Sequence, residues 1–160
     1  MDSSFFIDES QDFPTLDFDK SPAILAVHAA TKFTRKLSRH LQLKYGIGAM
    51  DWRMLVILTR EEDIPGARAT SLLDIDKAAV SRALTRLKDQ GLVDFKILGK
   101  DTRRKLWRLT PKGRDLHAEM LETALEMQDQ LIEGFTYLEV KTLNKLMHQM
   151  LENIEGFKEV

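Results

Sequence analysis

No cysteine occurs among the 160 residues of this chain. Composition alone therefore excludes disulfides, zinc–thiolate sites, iron–sulfur clusters and thiol-based redox sensing. No apolar run approaches the roughly 18 residues that a membrane-spanning helix requires, so no membrane partner is expected. The opening Met1-Asp2-Ser3-Ser4 lacks the positive first region and long apolar core of a secretory signal, which makes a cytoplasmic location the expectation. Enzyme signatures are lacking too. There is no cysteine nucleophile, no glycine-rich phosphate loop, and no metal-ligand spacing among His28, His40, His117 and His148. Neither an enzyme nor a cofactor nor a metal is expected.

What the chain does have is charge, unevenly placed. The formal net charge is only -1. Residues 1–20 carry one base and six acids, and residues 21–75 carry eight bases and five acids. Residues 76–114 carry twelve bases and four acids, and residues 115–160 three bases and ten acids. A segment at +8 thus sits between acidic ends. That is the electrostatic footprint of a nucleic-acid contact surface.

Residues 1–20 interleave acids with Phe5, Phe6, Phe13 and Phe18. They read either as an unstructured tail or as an arm that docks its phenylalanines on an apolar surface, such as a partner subunit's. Ser21-Pro22 opens a helix, with serine as N-cap and proline in the first turn. Leu25, Ala29, Phe33, Leu37, Leu41 and Tyr45 then recur every four residues up to Gly46. Asp51 is expected to start a second helix, apolar almost all round from Trp52 to Leu58 and hence central core. Residues 61–66 read as a loop and 67–73 as a short helix. After the turn Asp74-Ile75-Asp76 comes a helix from Lys77 to Gln90, capped by Asp76 and ended by Gly91, with Val80, Leu84 and Leu87 facing inward. Val93, Phe95 and Ile97 alternate with Asp94 and Lys96 as a strand does, and Leu106 to Leu109 returns after a basic tip. Thr110-Pro111 opens a further helix, and a last one carries apolar residues from Val140 to Phe157.

Helix, short helix, tight turn, helix and hairpin in that order make a winged helix-turn-helix. The fold class expected is mainly α with a small β-hairpin wing and long terminal helices. In such a unit the helix beginning at Lys77 enters the major groove, where base edges carry a distinguishable donor and acceptor code. Its face opposite the core shows Lys77, Ala78, Ser81, Arg82, Thr85 and Arg86. Arginine can grip a guanine edge, Ser and Thr can bond bases or phosphates, and Ala can touch a thymine methyl. The hairpin tip adds Lys100, Arg103, Arg104 and Lys105, suited to the negative potential of a narrow minor groove. Asp101 can pair with an arginine there and orient it.

Asp76-Lys77-Ala78-Ala79-Val80-Ser81-Arg82, Gly91-Leu92-Val93, Asp101-Thr102-Arg103-Arg104-Lys105 and Leu109-Thr110-Pro111-Lys112-Gly113 together resemble the multiple-antibiotic-resistance regulator (MarR) family. The resemblance runs from about Pro22 to the end and is densest over residues 72–114. It implies a homodimeric regulator of nearby genes, usually a repressor, that binds double-stranded DNA. It implies dimerisation through the first and the last two helices, and release by small, often aromatic, acidic ligands. Residues 21–46 and 111–160 would then form the dimerisation region, residues 47–110 the DNA-binding domain, and residues 1–20 an added arm. Arg103 matches the wing arginine of the minor groove, and Ser81 and Arg82 match recognition-helix contacts. Asp74 departs from the usual glycine of the turn, and Thr102 from a common second wing arginine. The effector pocket of such proteins lies between the dimerisation helices and the winged domain, where His28, Lys32, Trp52 and Arg53 are placed to line it.

The terminal helices support a dimer on their own account: Met120, Met127, Leu146, Met147, Met150 and Ile154 exceed what a small winged-helix core can cover. A two-fold dimer would set two recognition helices one DNA turn apart, roughly 34–36 Å, matching a palindrome. Two other readings stay open from the residues: a winged helix used for protein–protein contact, and a nonspecific architectural DNA binder.

Overall fold

The computed structural model of the chain describes residues 2–10, 12–98 and 105–157. The chain is mainly helical with a small antiparallel sheet, as the periodicities indicate. Helix α1 (Pro22–Tyr45) starts where Ser21 Oγ accepts from the Ile24 amide, and it ends at Gly46 in the left-handed conformation (φ 70°). Helix α2 (Ala49–Arg60) supplies the core: Trp52, Met54, Leu55, Ile57 and Leu58 are all buried. Burying one such side chain contributes about 1.5–3 kcal/mol, so this run dominates the small domain. Its start lies two residues before Asp51, the expected first residue. Gly48 is the N-cap and offers no side-chain acceptor, so Ser38 Oγ of α1 accepts from the Ala49 amide at 3.2 Å instead.

Helix α3 (Gly66–Leu73) and helix α4 (Lys77–Asp89) follow, with Val80, Ala83, Leu84 and Leu87 buried. Strands β4 (Val93–Ile97) and β5 (Lys105–Leu109) pair antiparallel, Val93 facing Leu109 and Phe95 facing Trp107. The segment read as a loop holds a third strand, β3 (Ile64–Pro65), on the other edge of β5. Two residues are too short to show alternation, and proline confines such a strand to an edge, so the sequence carried no strand signal there. Helix α5 (Pro111–Leu131) and helix α6 (Tyr137–Glu155) complete the chain. No helix among the described residues is long and apolar enough to cross a membrane.

The first twenty residues fold locally. A 3-10 turn over Ser3–Phe6 leads into β1 (Ile7–Asp8), which pairs antiparallel with β2 (Thr15–Leu16). Two compact units result, Met1–Glu122 and Thr123–Val160, with α5 running from the first into the second. In the second unit α6 begins with a capping box: Thr136 Oγ1 accepts from the Glu139 amide, and Glu139 Oε2 accepts from the Thr136 amide.

The start of α5 is tied to the turn after α4. Gly91 takes a positive φ of 71° there. The Thr110 hydroxyl donates to the Gly91 carbonyl at 2.7 Å and accepts from the Gly113 amide at 3.0 Å. Lys112 Nζ donates to the Gln90 carbonyl at 2.9 Å. Gly113 itself lies against Leu92 so closely that a Cβ would stand 1.9 Å from the Leu92 carbonyl oxygen, a backbone atom that cannot swing aside. Gly113→Ala is therefore expected to destabilise the fold by about 1–3 kcal/mol, the range for overpacking. Gly91→Ala meets nothing within 4 Å and should cost only the left-handed backbone penalty of about 1–2 kcal/mol. Urea unfolding of both variants checks this, and a Gly113→Ala protein as stable as the parent would contradict the close approach.

Candidate nucleic-acid interface

The turn between α3 and α4 sets the direction of α4. Asp74 adopts the left-handed conformation (φ 49°, ψ 47°) that its short polar side chain tolerates. Two residues later Asp76 Oδ1 accepts from the Ala78 and Ala79 amides at 2.9 and 3.0 Å. With Val80, Ala83, Leu84 and Leu87 buried, the opposite face of α4 exposes Lys77, Ala78, Ser81, Arg82, Thr85 and Arg86. Lys77, Ser81 and Thr85 share a cleft of about 430 Å³ with Lys105 and Leu106 of the wing and Gly66 of α3. Four sequence-predicted residues from two elements thus line one concavity. Arg82 and Ala78 stand on the exposed helix surface outside that lining. The Thr85 hydroxyl donates to the Ser81 carbonyl at 2.9 Å, leaving its oxygen to accept.

Arg86 is placed differently. Its Nη2 and Nε donate to the Asp51 carboxylate at 2.5 and 3.3 Å. Asp51 lies on α2 with only 8% of its side chain exposed, and Arg86 is half exposed. The guanidinium is thereby committed to a bidentate pair that fixes α4 on α2. Sequence reasoning had both residues and no signal that joined them: they stand 35 positions apart. The one available hint was an acid set inside the apolar run of α2.

At the wing, the Lys105 ammonium lies 4.3 Å from the centre of the Phe95 ring, which meets Trp107 edge-on at 5.0 Å. The contact holds a basic side chain at the root of the hairpin, worth about 0.5–1 kcal/mol at such an exposed place. Lys96 Nζ bonds Asp63 Oδ2 at 2.6 Å, tying β4 to the segment before β3. Lys100, Asp101, Thr102, Arg103 and Arg104 lie outside the described residues.

The four residues expected in an effector pocket do not all meet. Trp52 and Arg53 line a cavity of about 300 Å³ between α2 and α3, together with Arg60 and Leu72. Arg53 also lines a groove of about 730 Å³ along α1. His28 and Lys32 line neither; His28 is exposed and faces the ring of Phe18 at 6.0 Å. A residue that sequence reasoning left aside joins Trp52: His117 of α5 stacks on it with centroids 5.0 Å apart and planes at 17°. Burial lowers the His117 pKa below the ordinary 6.5. Among the described residues no cluster of His, Cys, Asp or Glu could hold a metal ion.

Comparison with known proteins places this arrangement. A sequence profile described as MarR family matches residues 45–104. The transcriptional regulator ZitR of Lactococcus lactis subsp. cremoris (strain MG1363) is 32% identical over 102 residues, covering 62% of this chain and 70% of that protein. The HTH-type transcriptional repressor IacR of Pseudomonas putida is 24% identical over 124 residues, 78% of this chain and 74% of its own length. Among solved structures, a MarR/EmrR family transcriptional regulator from Acinetobacter sp. ADP1 superposes with a TM-score of 0.80 at 26% identity, covering 89% of this chain and all of that one. A mutant MarR from E. coli, solved in complex with operator DNA, gives 0.72 at 25% identity over 81% and 92% of the two chains. BpsR of Bordetella bronchiseptica, described as regulated in its DNA binding by 6-hydroxynicotinic acid, shares the fold at 0.73 and 22% identity, covering 83% of this chain and 94% of its own.

The half-buried imidazole gives a pH dependence with a definite sign. Because the folded pKa of His117 lies below the unfolded one, the unfolded chain takes up the proton first, and stability falls as pH drops through about 6.5. His117→Phe should keep the stack on Trp52 and flatten unfolding free energy over that window. An unchanged slope would show that His117 is not its source.

Proposed function

This chain belongs to the MarR family of transcriptional regulators, and from that premise we propose that it is a repressor that binds a palindromic operator as a homodimer. The observation that carries the reading is the cleft between α4 and the wing. Lys77, Ser81 and Thr85 on one wall and Lys105 on the other give it donors and positive charge, and Arg82 stands exposed beside it. A helix exposed in this way beside a basic wing enters the major groove of duplex DNA, with phosphates bound by the lysines at its margins and base edges read by its outer face. The wing residues Lys100, Arg103 and Arg104 belong to the same proposal, Arg103 as the minor-groove contact and Asp101 as its orienting partner. Arg86 is assigned to bracing α4, since Asp51 holds its guanidinium.

The homodimer is supported by what a single chain leaves uncovered. No residue of α6 is buried, and Leu138, Leu146, Leu151 and Phe157 are more than half exposed. Apolar patches on this scale mark interaction surfaces. Residues 21–46 and 111–160 would supply the dimer contacts, and the regulator would act in the cytoplasm. Release by a small aromatic acid is part of the same reading. The cavity beside Trp52 pairs an indole with Arg53 and Arg60, and BpsR, a protein of the same fold, is described as regulated by 6-hydroxynicotinic acid. A purely architectural binder would bind all duplexes alike, and a protein-docking winged helix would have no use for a segment at +8.

Two substitutions separate these readings. Arg82→Ala should cost about 1–3 kcal/mol on the preferred sequence and much less on unrelated duplexes, as expected for a base contact. Arg103→Ala should weaken all binding and reduce the slope of log affinity against log salt by about one unit. Fluorescence anisotropy over a salt series measures both. Equal losses on all sequences for Arg82→Ala would remove base reading from this helix, and an unchanged slope for Arg103→Ala would remove the wing contact.

A further inference from the structure

We propose that the acidic N-terminal hairpin of one copy docks in the arginine-lined groove between α1 and α2 of a second copy. The groove comes first. Residues 21–50 contain five Lys and Arg and no Asp or Glu. Arg35 and Arg39 from α1 and Arg53 from α2 line a groove of about 730 Å³ whose other lining includes Thr31, Ser38 and Gln42. No acid lines it, and among the described residues none of the three arginines has an ion-pair partner. All three are exposed to solvent, and a groove lined by three cations favours an anionic occupant, most of all at low salt.

The chain carries a segment of matching character. Residues 1–20 hold six acids and one base. The Asp17 carboxylate is taken by Lys20, whereas Glu9 and Asp12 are exposed and bonded to nothing among the described residues. Beside them Phe13 is 69% exposed and Phe5 55%. The hairpin is rooted over the first turns of its own α1: Ser21 donates to the Asp17 carbonyl at 3.0 Å, and Phe18 meets His28. None of its residues lines the groove of its own chain; Phe18 stops at His28, short of Ala30 where the lining begins, and Arg35 and Arg39 stand about 20–25 Å along α1 from Pro22 at 1.5 Å per residue. A two-fold axis crossing α1 brings the first turns of one helix opposite the later turns of the other. Each hairpin then faces its partner's groove, and the contact is made twice. The proposal rests on the homodimer reading above and adds to it a second, electrostatic interface.

Because the chain has no cysteine, cross-linking can test this without background. Two full-length chains are made, one Asp12→Cys and the other Arg39→Cys, then mixed, allowed to exchange subunits and treated with a short bis-maleimide. The expected result is a covalent dimer in the mixture and little in either variant alone. Sedimentation supplies the second arm. Arg35→Glu with Arg39→Glu should raise the dimer dissociation constant at least tenfold at low salt, and Glu9→Lys with Asp12→Lys in the same chain should restore it. A doubly substituted Asp12→Cys/Arg39→Cys chain that cross-links only within itself would overturn the proposal. So would a parent chain that dimerises while neither cross-link nor charge reversal has any effect; that result leaves the homodimer standing and points to a small anion or DNA phosphates as the occupant. A parent chain that stays monomeric at all concentrations overturns the homodimer reading itself.

Discussion

Asp51 carries a carboxylate into the interior of the small domain, on the helix that buries more apolar side chains than any other element. An ion so placed is tolerated only when it is paired and hydrogen-bonded. Arg86 answers it from α4 with two donors, and removing Arg86 would leave the buried Asp51 carboxylate unsatisfied at about 1–3 kcal/mol. The pair does more than preserve stability. Apolar contacts between two helices permit sliding and rotation within a shallow range. A bidentate guanidinium–carboxylate contact has one geometry. It therefore fixes the rotation of α4 on α2, and with it the direction in which Lys77, Ser81 and Arg82 face.

The same helix is held at its ends by hydrogen bonds to backbone groups. The Asp76 cap satisfies the first amides of α4. Beyond its last turn, Thr110 and Lys112 donate to the carbonyls of residues 90–92, Gly113 packs against Leu92, and α5 is joined to the winged domain. Hydrogen bonds and one close backbone approach thus join the start of α5 to the turn that ends α4, and α5 continues into the second compact unit. Trp52 on His117 adds a packed contact between α2 and α5.

Elements whose signals are local were legible in the sequence. Ser21-Pro22, Gly46, Asp76 and Gly91 each act on backbone groups within four residues, and the structure places all of them as read. The tight turn Asp74-Ile75-Asp76 was legible for the same reason, and the structure gives Asp74 the left-handed conformation there. What escaped depends on pairs distant in the chain. Strand β3 exists because β5 offers an edge more than forty positions away. The start of α2 moved because Ser38 of α1 supplies an acceptor that Gly48 lacks. Arg86 has the spacing of a DNA-facing residue, and only Asp51 reveals its other task. The first twenty residues have no period because their hairpin is two residues wide on each side. For the surface itself, the face of α4 was readable from Val80, Leu84 and Leu87, whereas the cleft it forms with Lys105 needed the wing in place.

A reading head fixed in this way, and duplicated by the proposed two-fold axis, would make a geometric demand on DNA. Selection from a pool of random duplexes with the purified full-length chain, followed by sequencing and footprinting of the bound fraction, tests that demand most directly. The account predicts enrichment of an inverted repeat whose half-sites are centred about 10–10.5 base pairs apart, or a whole multiple of that spacing, with protection on one face of the duplex. Binding that falls with salt but enriches no sequence, or a single half-site without its inverted mate, would contradict it.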